Sequence, residues 1–292
     1  MNFRTPVDLP REHLSLTPQS AALTLGSCFA ESVGNRMANA MPEGNVCVNP
    51  FGVLYNPESV RRALEIIAFG DLFFPDSYLF EGRDGLWHSW LHSGAFSATS
   101  QKACRERILQ ATNDAATLLG RADLLCLTWG TNRAYVLRDE GLLVGNCHKE
   151  VPARFVERSL SVEEIVTSWT ATFEALRRAF PNLRIVLTVS PYRYAKYGLH
   201  GSQLAKATLL LAQAQLCAEH AGVYYFPAYE MVTDELRDYR FYEPDMLHPS
   251  AQAADYVWQR FADWTFSDEL RRLATEREKQ RKAEAHRNIV RP

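Results

Sequence analysis

The sequence has little of what marks secreted, membrane or metal-binding proteins. None of its apolar runs approaches the roughly 20 residues of a membrane-spanning helix, and residues 1–10 lack the charged-then-apolar order of a signal peptide. Its six cysteines are scattered without a CxxC pair, which favours reduced thiols over disulfides or a zinc site. The formal charge of −2 gives no reason to expect nucleic acid or an anionic membrane as a partner. We therefore expect a cytoplasmic protein.

The chain also has no internal repeat and no linker long enough to separate two domains. With 292 residues, 47% of them hydrophobic and 23% charged, it can bury one large core. The composition predicts an N-terminal arm at 1–19, one domain at 20–266 and a charged tail at 267–292 that is a solvated helix or disordered. Residues 71–100 are rich in aromatic side chains, which predicts either an insertion over a pocket or an aromatic-packed hairpin. Nothing in the sequence indicates an oligomeric state.

What the chain does contain is a regular alternation of apolar strand patterns and helical patterns. The predicted strands of the main sheet are 21–25, 46–49, 124–128, 185–189 and 223–226, and residues 134–144 resemble a hairpin. The predicted helices are 29–40, 57–69, 101–119, 161–179, 204–220 and 250–266. This alternation is typical of a single α/β domain with three α/β/α layers and a central, mostly parallel five-stranded sheet. In such sheets the functional residues gather at the carboxyl ends of the strands.

The first strand leads into a helix through Gly26, Ser27 and Cys28. Backbone N–H groups at a helix start are unpaired, and the helix dipole favours developing negative charge there. Gly26 can adopt backbone angles that other residues avoid. Ser27 is therefore a candidate nucleophile, with its own N–H as one oxyanion donor. The alternative is that Ser27 only caps the helix.

A second candidate group, Asp245-Met-Leu-His248, lies just before the last helix of the predicted domain. Of the eight histidines, only His248 has an aspartate three positions earlier. Such an Asp can fix the tautomer of a His that acts as a general base. The alternative is a histidine packed against its tyrosine and proline neighbours, with Asp245 capping the helix that follows.

Two further residues are candidate oxyanion donors. Asn132 follows the strongest predicted strand in Gly130-Thr-Asn132, and its side-chain amide can donate to an oxyanion. Gly52, in the loop after the second strand, can offer a backbone N–H. Each also has a plain explanation as a turn residue.

The order of these motifs resembles the four blocks of the SGNH (GDSL-type) hydrolase superfamily. More narrowly, the chain resembles the GSCFA family, whose name is the string at residues 26–30. The resemblance covers about residues 20–266. Besides the string itself it rests on residues 49–56, 146–149, 188–191, 225–230, 236–242 and 245–249.

The resemblance implies an SGNH/flavodoxin-like sheet and a role for each matching residue. It implies Ser27 as the nucleophile, His248 as the base and Asp245 as the group that orients the base. Gly52 matches the oxyanion glycine and Asn132 the oxyanion asparagine of the superfamily. Asn146, in the loop Asn146-Cys-His148-Lys, is a rival donor, and His148 is placed with it among the substrate-binding residues.

The predicted function is that of a serine esterase acting on O-acyl esters of a carbohydrate or a similar polar molecule, with O-acetyl esters favoured. The predicted mechanism needs no cofactor and no metal. The alternatives are an O-acyltransferase using the same site, or a non-catalytic carbohydrate-binding protein whose segment 71–100 stacks on a sugar.

Two other chemistries were weighed for the same residues. Cys28 is an alternative nucleophile, but the superfamily position is the serine, and the side chain after Ser27 is expected to point into the fold. A metal site built from His88, His92, His148 and His248 is disfavoured because their spacings match no ligand motif.

Overall fold

A computed structural model describes residues 4–70 and 76–289, with side chains up to residue 284. The strands are β1 (Ala22–Gly26), β2 (Val46–Val48), β3 (Leu79–Glu81), β4 (Trp87–Ser89), β5 (Leu124–Trp129), β6 (Arg133–Leu137), β7 (Leu143–Val144), β8 (Phe155–Ser159), β9 (Arg184–Val189) and β10 (Val223–Tyr225). The helices are α1 (Cys28–Ala40), α2 (Pro57–Phe69), α3 (Gln101–Leu119), α4 (Val162–Ala179), α5 (Gly198–Glu219), α6 (Ala228–Glu230), α7 (Ala251–Thr265) and α8 (Asp268–Ile289). A π-helical turn, Met231–Leu236, follows α6.

Five parallel strands form the central sheet in the order β10-β9-β5-β1-β2. Alternate residues of each strand face opposite layers because side chains alternate along a strand. Leu23 and Leu25 pack with α2, α3, α4 and α5, whereas Ala22 packs with α1, α7 and the start of α8. The predicted three-layer α/β/α architecture with a five-stranded sheet is confirmed.

Two small antiparallel sheets lie outside the central one. β3 and β4 form a hairpin in the aromatic-rich segment, and β6 pairs with both β7 and β8. In the hairpin the rings of Phe80 and Trp90 stack with centroids 3.5 Å apart, and Trp90 is only 2% exposed. This segment is therefore packed as an aromatic hairpin. Phe73 and Phe74, which belong to the same prediction, lie outside the described residues.

The two ends of the chain pack on the layer that contains α1 and α7. Leu16, in the predicted N-terminal arm, is fully buried and bridges to Phe266. The charged tail forms α8, in which Leu270 is buried and Arg277 donates to the backbone oxygen of Asn39. The helical alternative for the tail is thus confirmed up to residue 289. The division of the chain into arm, domain and tail stays a prediction.

The carboxyl ends of β1, β5 and β9 lie side by side because the three strands pair in parallel. Gly26 is opposite Thr128, and Thr128 is opposite Thr188. The segments that follow these strands, beginning at Ser27, Gly130 and Ser190, therefore share one edge of the sheet. Among the described residues, no helix combines the length and the apolar character that crossing a bilayer requires.

Candidate active site

The start of α1 is fixed by backbone contacts at the end of β1. Gly26 has φ +141°, a region that favours glycine. Its N–H donates to Asn49 Oδ1 at 2.9 Å, and its oxygen accepts from Leu54 N at 2.9 Å. The next residue, Ser27, donates its backbone N–H to Thr128 O at 3.1 Å. The N–H that the sequence suggested as an oxyanion donor is therefore already paired with β5.

Of the two residues at the start of α1, Cys28 is more exposed than Ser27, which is the reverse of what the sequence suggested. Ser27 is 1% exposed, and its hydroxyl accepts from Phe29 N at 3.3 Å as the N-cap of α1. Cys28, the first residue of α1, is partly exposed. The capping alternative for Ser27 is confirmed, whereas Cys28, expected to point into the fold, is only partly buried. A catalytic role for Ser27 stays a prediction.

Asp245 and His248 form a hydrogen-bonded pair in the loop before α7. His248 Nδ1 lies 2.5 Å from Asp245 Oδ2, and Asp245 Oδ1 accepts from the backbone N–H groups of Leu247 and His248. The hydrogen bond from the His248 side chain, with those two backbone bonds, lowers the pKa of Asp245 to about 2. The carboxylate is thus ionised at neutral pH. The His248 side chain is 47% exposed, so a substrate can reach it.

A series of aromatic rings connects this pair to the start of α1. The ring centroids of His248 and Tyr192 are 4.3 Å apart, and those of Tyr192 and Tyr194 are 4.7 Å apart. A Cβ placed on Gly130 would lie 2.9 Å from the Tyr194 hydroxyl and 3.6 Å from Ser27 Cβ. The structure therefore brings residues 27, 130, 192 and 248 to one edge of the sheet.

The loop that carries His248 is attached to the segment after β9. Arg193 donates its backbone N–H to Leu247 O and its guanidinium to Met246 O, both at 3.1 Å. Met246 has φ +60°, which turns the chain between Asp245 and His248. The His248 loop is thus held against the sheet edge by Arg193.

Gly52 and Asn132 lie near this edge, but their donors are engaged elsewhere. Gly52 donates its N–H to Asn49 O at 2.7 Å within a turn. Asn132 is buried and donates its side-chain amide to Leu160 O at 2.9 Å. In this arrangement each residue has the turn or packing role that the sequence left open as its alternative. Their role as oxyanion donors stays a prediction.

Asn146 and His148 pack against the aromatic hairpin. Asn146 Oδ1 accepts from His148 N at 2.9 Å. His148 Nε2 is 2.7 Å from Ser89 O, and its ring lies 4.6 Å from that of His88. Burial lowers the pKa of His148. These contacts hold the loop onto β4, and a substrate-binding role for either residue stays a prediction.

The four histidines of the disfavoured metal site have other partners. His88 lies between Ser97 and Asp84, at 2.6 and 2.9 Å, and His92 Nδ1 is 2.8 Å from Ser89 Oγ. Within residues 4–70 and 76–284, no group of three or more His, Cys, Asp or Glu side chains is arranged to hold a metal ion.

A comparison with protein families finds a match to the GSCFA family over residues 21–261. The chain belongs to the GSCFA family. The match covers most of the chain and includes β1, the loops of the sheet edge and the His248 loop. A comparison with curated proteins finds no match.

Solved structures similar to this GSCFA protein are distant in sequence. A Corynascus thermopiles (Myceliophthora fergusii) carbohydrate esterase family 2 enzyme is 12% identical, with a TM-score of 0.41 over 85% of this chain and 66% of that one. An acetyl xylan esterase from the rumen bacterium Butyrivibrio proteoclasticus is 11% identical, with a TM-score of 0.43 over 87% and 64%. A Talaromyces cellulolyticus carbohydrate esterase family 3 structure is 12% identical, with a TM-score of 0.36 over 88% and 99%. The GSCFA chain thus spans about two thirds of the first two. Likenesses at this level do not bear on its reaction.

Sequence reasoning missed one buried cation beneath the site of this GSCFA protein. Lys206 on α5 is 2% exposed, and its Nζ donates to Gly130 O at 2.5 Å and Ser190 O at 2.7 Å. These two carbonyls lie just past the ends of β5 and β9, so Lys206 joins the two strand ends. The Ala- and Leu-rich pattern around Lys206 indicated only a helix. The only sequence signal for this role was that Lys206 is a lone lysine on the apolar face of the predicted helix.

We expect Lys206→Met to remove part of the pH dependence of stability. Burial lowers the pKa of Lys206 to about 7, so between about pH 7 and the usual value near 10.4 the unfolded chain binds more protons than the folded one. The free energy of unfolding of the wild type should therefore rise with pH relative to the variant. The slope is at most about 1.4 kcal/mol per pH unit, the value for one proton bound only by the unfolded chain.

Urea denaturation at pH 7, 8 and 9 measures this difference. The Lys206→Met variant is the reference for the wild type, because every other titrating group is common to both proteins. Parallel pH profiles for the two proteins would show that Lys206 titrates as it does in water.

Proposed function

We propose that this GSCFA protein hydrolyses O-acyl esters at the edge of the sheet where α1 begins. The observation that carries the proposal is the His248–Asp245 pair, at 2.5 Å, half-exposed and connected through Tyr192 to the start of α1. Acyl transfer needs a nucleophile, a base with a fixed tautomer and donors for the oxyanion. This edge can supply all three.

His248 would act as the general base. With Nδ1 bonded to an ionised Asp245, the Nε2 atom is left to accept a proton from the nucleophile and to return it to the departing alkoxide. The nucleophile is one of the two side chains at the start of α1: Ser27, which the family resemblance predicts, or Cys28. The N–H groups of the first turn of α1 and the helix dipole would stabilise the oxyanion.

The proposed substrates are O-acetyl esters of a carbohydrate or a similar polar molecule. The site lies at an exposed edge with charged and tyrosine side chains, which suits an ester whose alcohol portion is polar. Use of an acceptor hydroxyl in place of water would make the same site an acyltransferase. Non-catalytic sugar binding by residues 71–100 has less support, because Tyr78 and Trp90 there are buried in the hairpin.

The test is hydrolysis of p-nitrophenyl acetate and release of acetate from acetylated xylo-oligosaccharides. We expect saturable turnover by the wild type and a loss of about 100-fold or more in His248→Asn, since general base catalysis contributes about that much. His220→Asn is the matched control, because His220 ends α5 just before β10, at the opposite edge of the sheet. Equal activity in the His248→Asn variant and the wild type would contradict the proposal. Acetyl transfer to added alcohols at the expense of free acetate would reassign the site as an acyltransferase.

A further inference from the structure

The two adjacent side chains at the start of α1 are in different environments. Ser27 caps the helix with its hydroxyl and is almost fully buried, with its Cβ facing Gly130. Cys28 is partly exposed at the first helical position. A substrate carbonyl must come within about 3–3.5 Å of the attacking atom. Of the two side chains, only that of Cys28 presents surface to solvent for such an approach.

We infer that Cys28, and not Ser27, is the nucleophile, so that the acyl group is carried as a thioester. This inference rests on the proposed function and specifies its chemistry. Ser27 then has a positioning role, because its cap fixes where α1 begins and hence where the Cys28 side chain points.

The surroundings of Cys28 include Tyr192, which also contacts the His248–Asp245 pair. Burial raises the pKa of the Tyr192 hydroxyl, and negative charge on Cys28 and on Asp245 raises it further. Tyr192 therefore lies within electrostatic range of both groups, and its ring is in contact with the His248 ring. Burial and negative charge on Cys28 also raise the pKa values of the Tyr55 and Tyr194 hydroxyls.

The charges near Cys28 suit a thiol that is activated only when a base is present. Burial raises the pKa of Cys28, whereas the N–H groups of Phe29 and Cys28 and the charge of Lys206 lower it. The net rise keeps the thiol protonated at neutral pH until His248 accepts the proton. The amino end of α1, and Lys206 in the fraction of molecules in which it is protonated, then stabilise the thiolate as it forms.

The reaction divides into two balanced steps. In the first, the Cys28 thiol proton passes to His248 Nε2, Sγ bonds to the carbonyl carbon and the alkoxide leaves with the proton from His248. In the second, water gives a proton to His248 Nε2 and attacks the thioester. The carbon–sulfur bond breaks, and the sulfur recovers the proton. The N–H of Cys28, which has no acceptor within the helix, stabilises the oxyanion in both steps.

The experiment compares single variants of the full chain with p-nitrophenyl acetate. We expect Cys28→Ala to lose about 100-fold or more in kcat. Ser27→Gly should stay within about tenfold of the wild type, because glycine is nearly as good a helix cap as serine. Cys217→Ala, the same change at a half-buried thiol on α5, is the matched control. Circular dichroism confirms the fold of each variant.

A second measurement identifies the bond and does not depend on variant stability. Wild-type enzyme quenched in acid during turnover should carry an acetyl group on the peptide that contains residues 27 and 28. Neutral hydroxylamine should remove that group, since it cleaves thioesters and leaves serine esters intact. A hydroxylamine-resistant adduct, or full activity in Cys28→Ala with none in Ser27→Gly, would overturn the inference. Turnover that depends on His248 but not on Cys28 would overturn it too and leave the esterase proposal standing. No turnover by the wild type would defeat both.

Discussion

Asp245→Asn should lower kcat for p-nitrophenyl acetate by about 10³–10⁴-fold with little change in fold. An asparagine can keep its Oδ1 as acceptor for the N–H groups of Leu247 and His248, so the loop is preserved. What changes is Oδ2, which becomes an NH₂ group that donates to His248 Nδ1. The imidazole then carries its proton on Nε2 and can no longer act as the base toward the nucleophile.

The matched control is Asp238→Asn in the same loop. Asp238 is exposed and its Oδ1 accepts from Arg240 N at 2.9 Å, a bond that asparagine also makes. The control should retain wild-type activity and both variants should unfold at similar urea concentrations. If Asp245→Asn keeps more than about a tenth of the wild-type kcat, Asp245 is not setting the tautomer of His248.

Gly26→Ala should prevent the chain from reaching a stable native state. A Cβ at this position would lie 2.1 Å from Thr128 O and 2.9 Å from Thr128 C, and those atoms belong to the backbone of the neighbouring strand β5. The φ of +141° adds strain for any side chain. Because neither β1 nor β5 can shift without breaking the sheet, we expect a loss of at least about 4 kcal/mol in the free energy of unfolding.

Gly44→Ala separates the steric effect from the strain. Gly44 has φ +78° but nothing lies within 4 Å of its Cβ position, so its replacement should cost only about 1–3 kcal/mol. Soluble yield and urea denaturation compare the two variants. A Gly26→Ala protein that is soluble and as stable as Gly44→Ala would contradict the assigned contact with Thr128.

The main sheet was predictable because its strands are short, buried apolar runs that end at turn residues. Leu124–Trp129 and Arg184–Val189 have that pattern, and both are central strands. Strand β8 was missed because most of its residues are polar or exposed and only its pairing with β6 holds it extended. The first turn of α5 was missed because Gly198 and Gly201 have low helix propensity.

The assignment of exposure at residues 27 and 28 failed for a geometric reason. The sequence predicted that the helix starts at Phe29, whereas α1 starts at Cys28. Successive helical residues are rotated by about 100° around the axis, so moving the start by one position changes which side chain faces the solvent. Sequence patterns locate a helix end only to within a few residues. A site built on a helix start therefore cannot be resolved to a single side chain from sequence.

The wide separation of Cys28 and His248 along the chain has a consequence for how activity appears during synthesis. His248, the proposed base, comes to the start of α1 only after α1, β5, β9 and the Arg193 contact have formed, and α7 must pack on α1 to hold the loop of His248. A ribosome-bound chain that has not yet exposed residues 245–265 has no base to activate its thiol. Hydrolysis can therefore serve as a reporter of completed folding. We expect a truncated chain that lacks the loop before α7 to show no turnover, even if the rest of it folds.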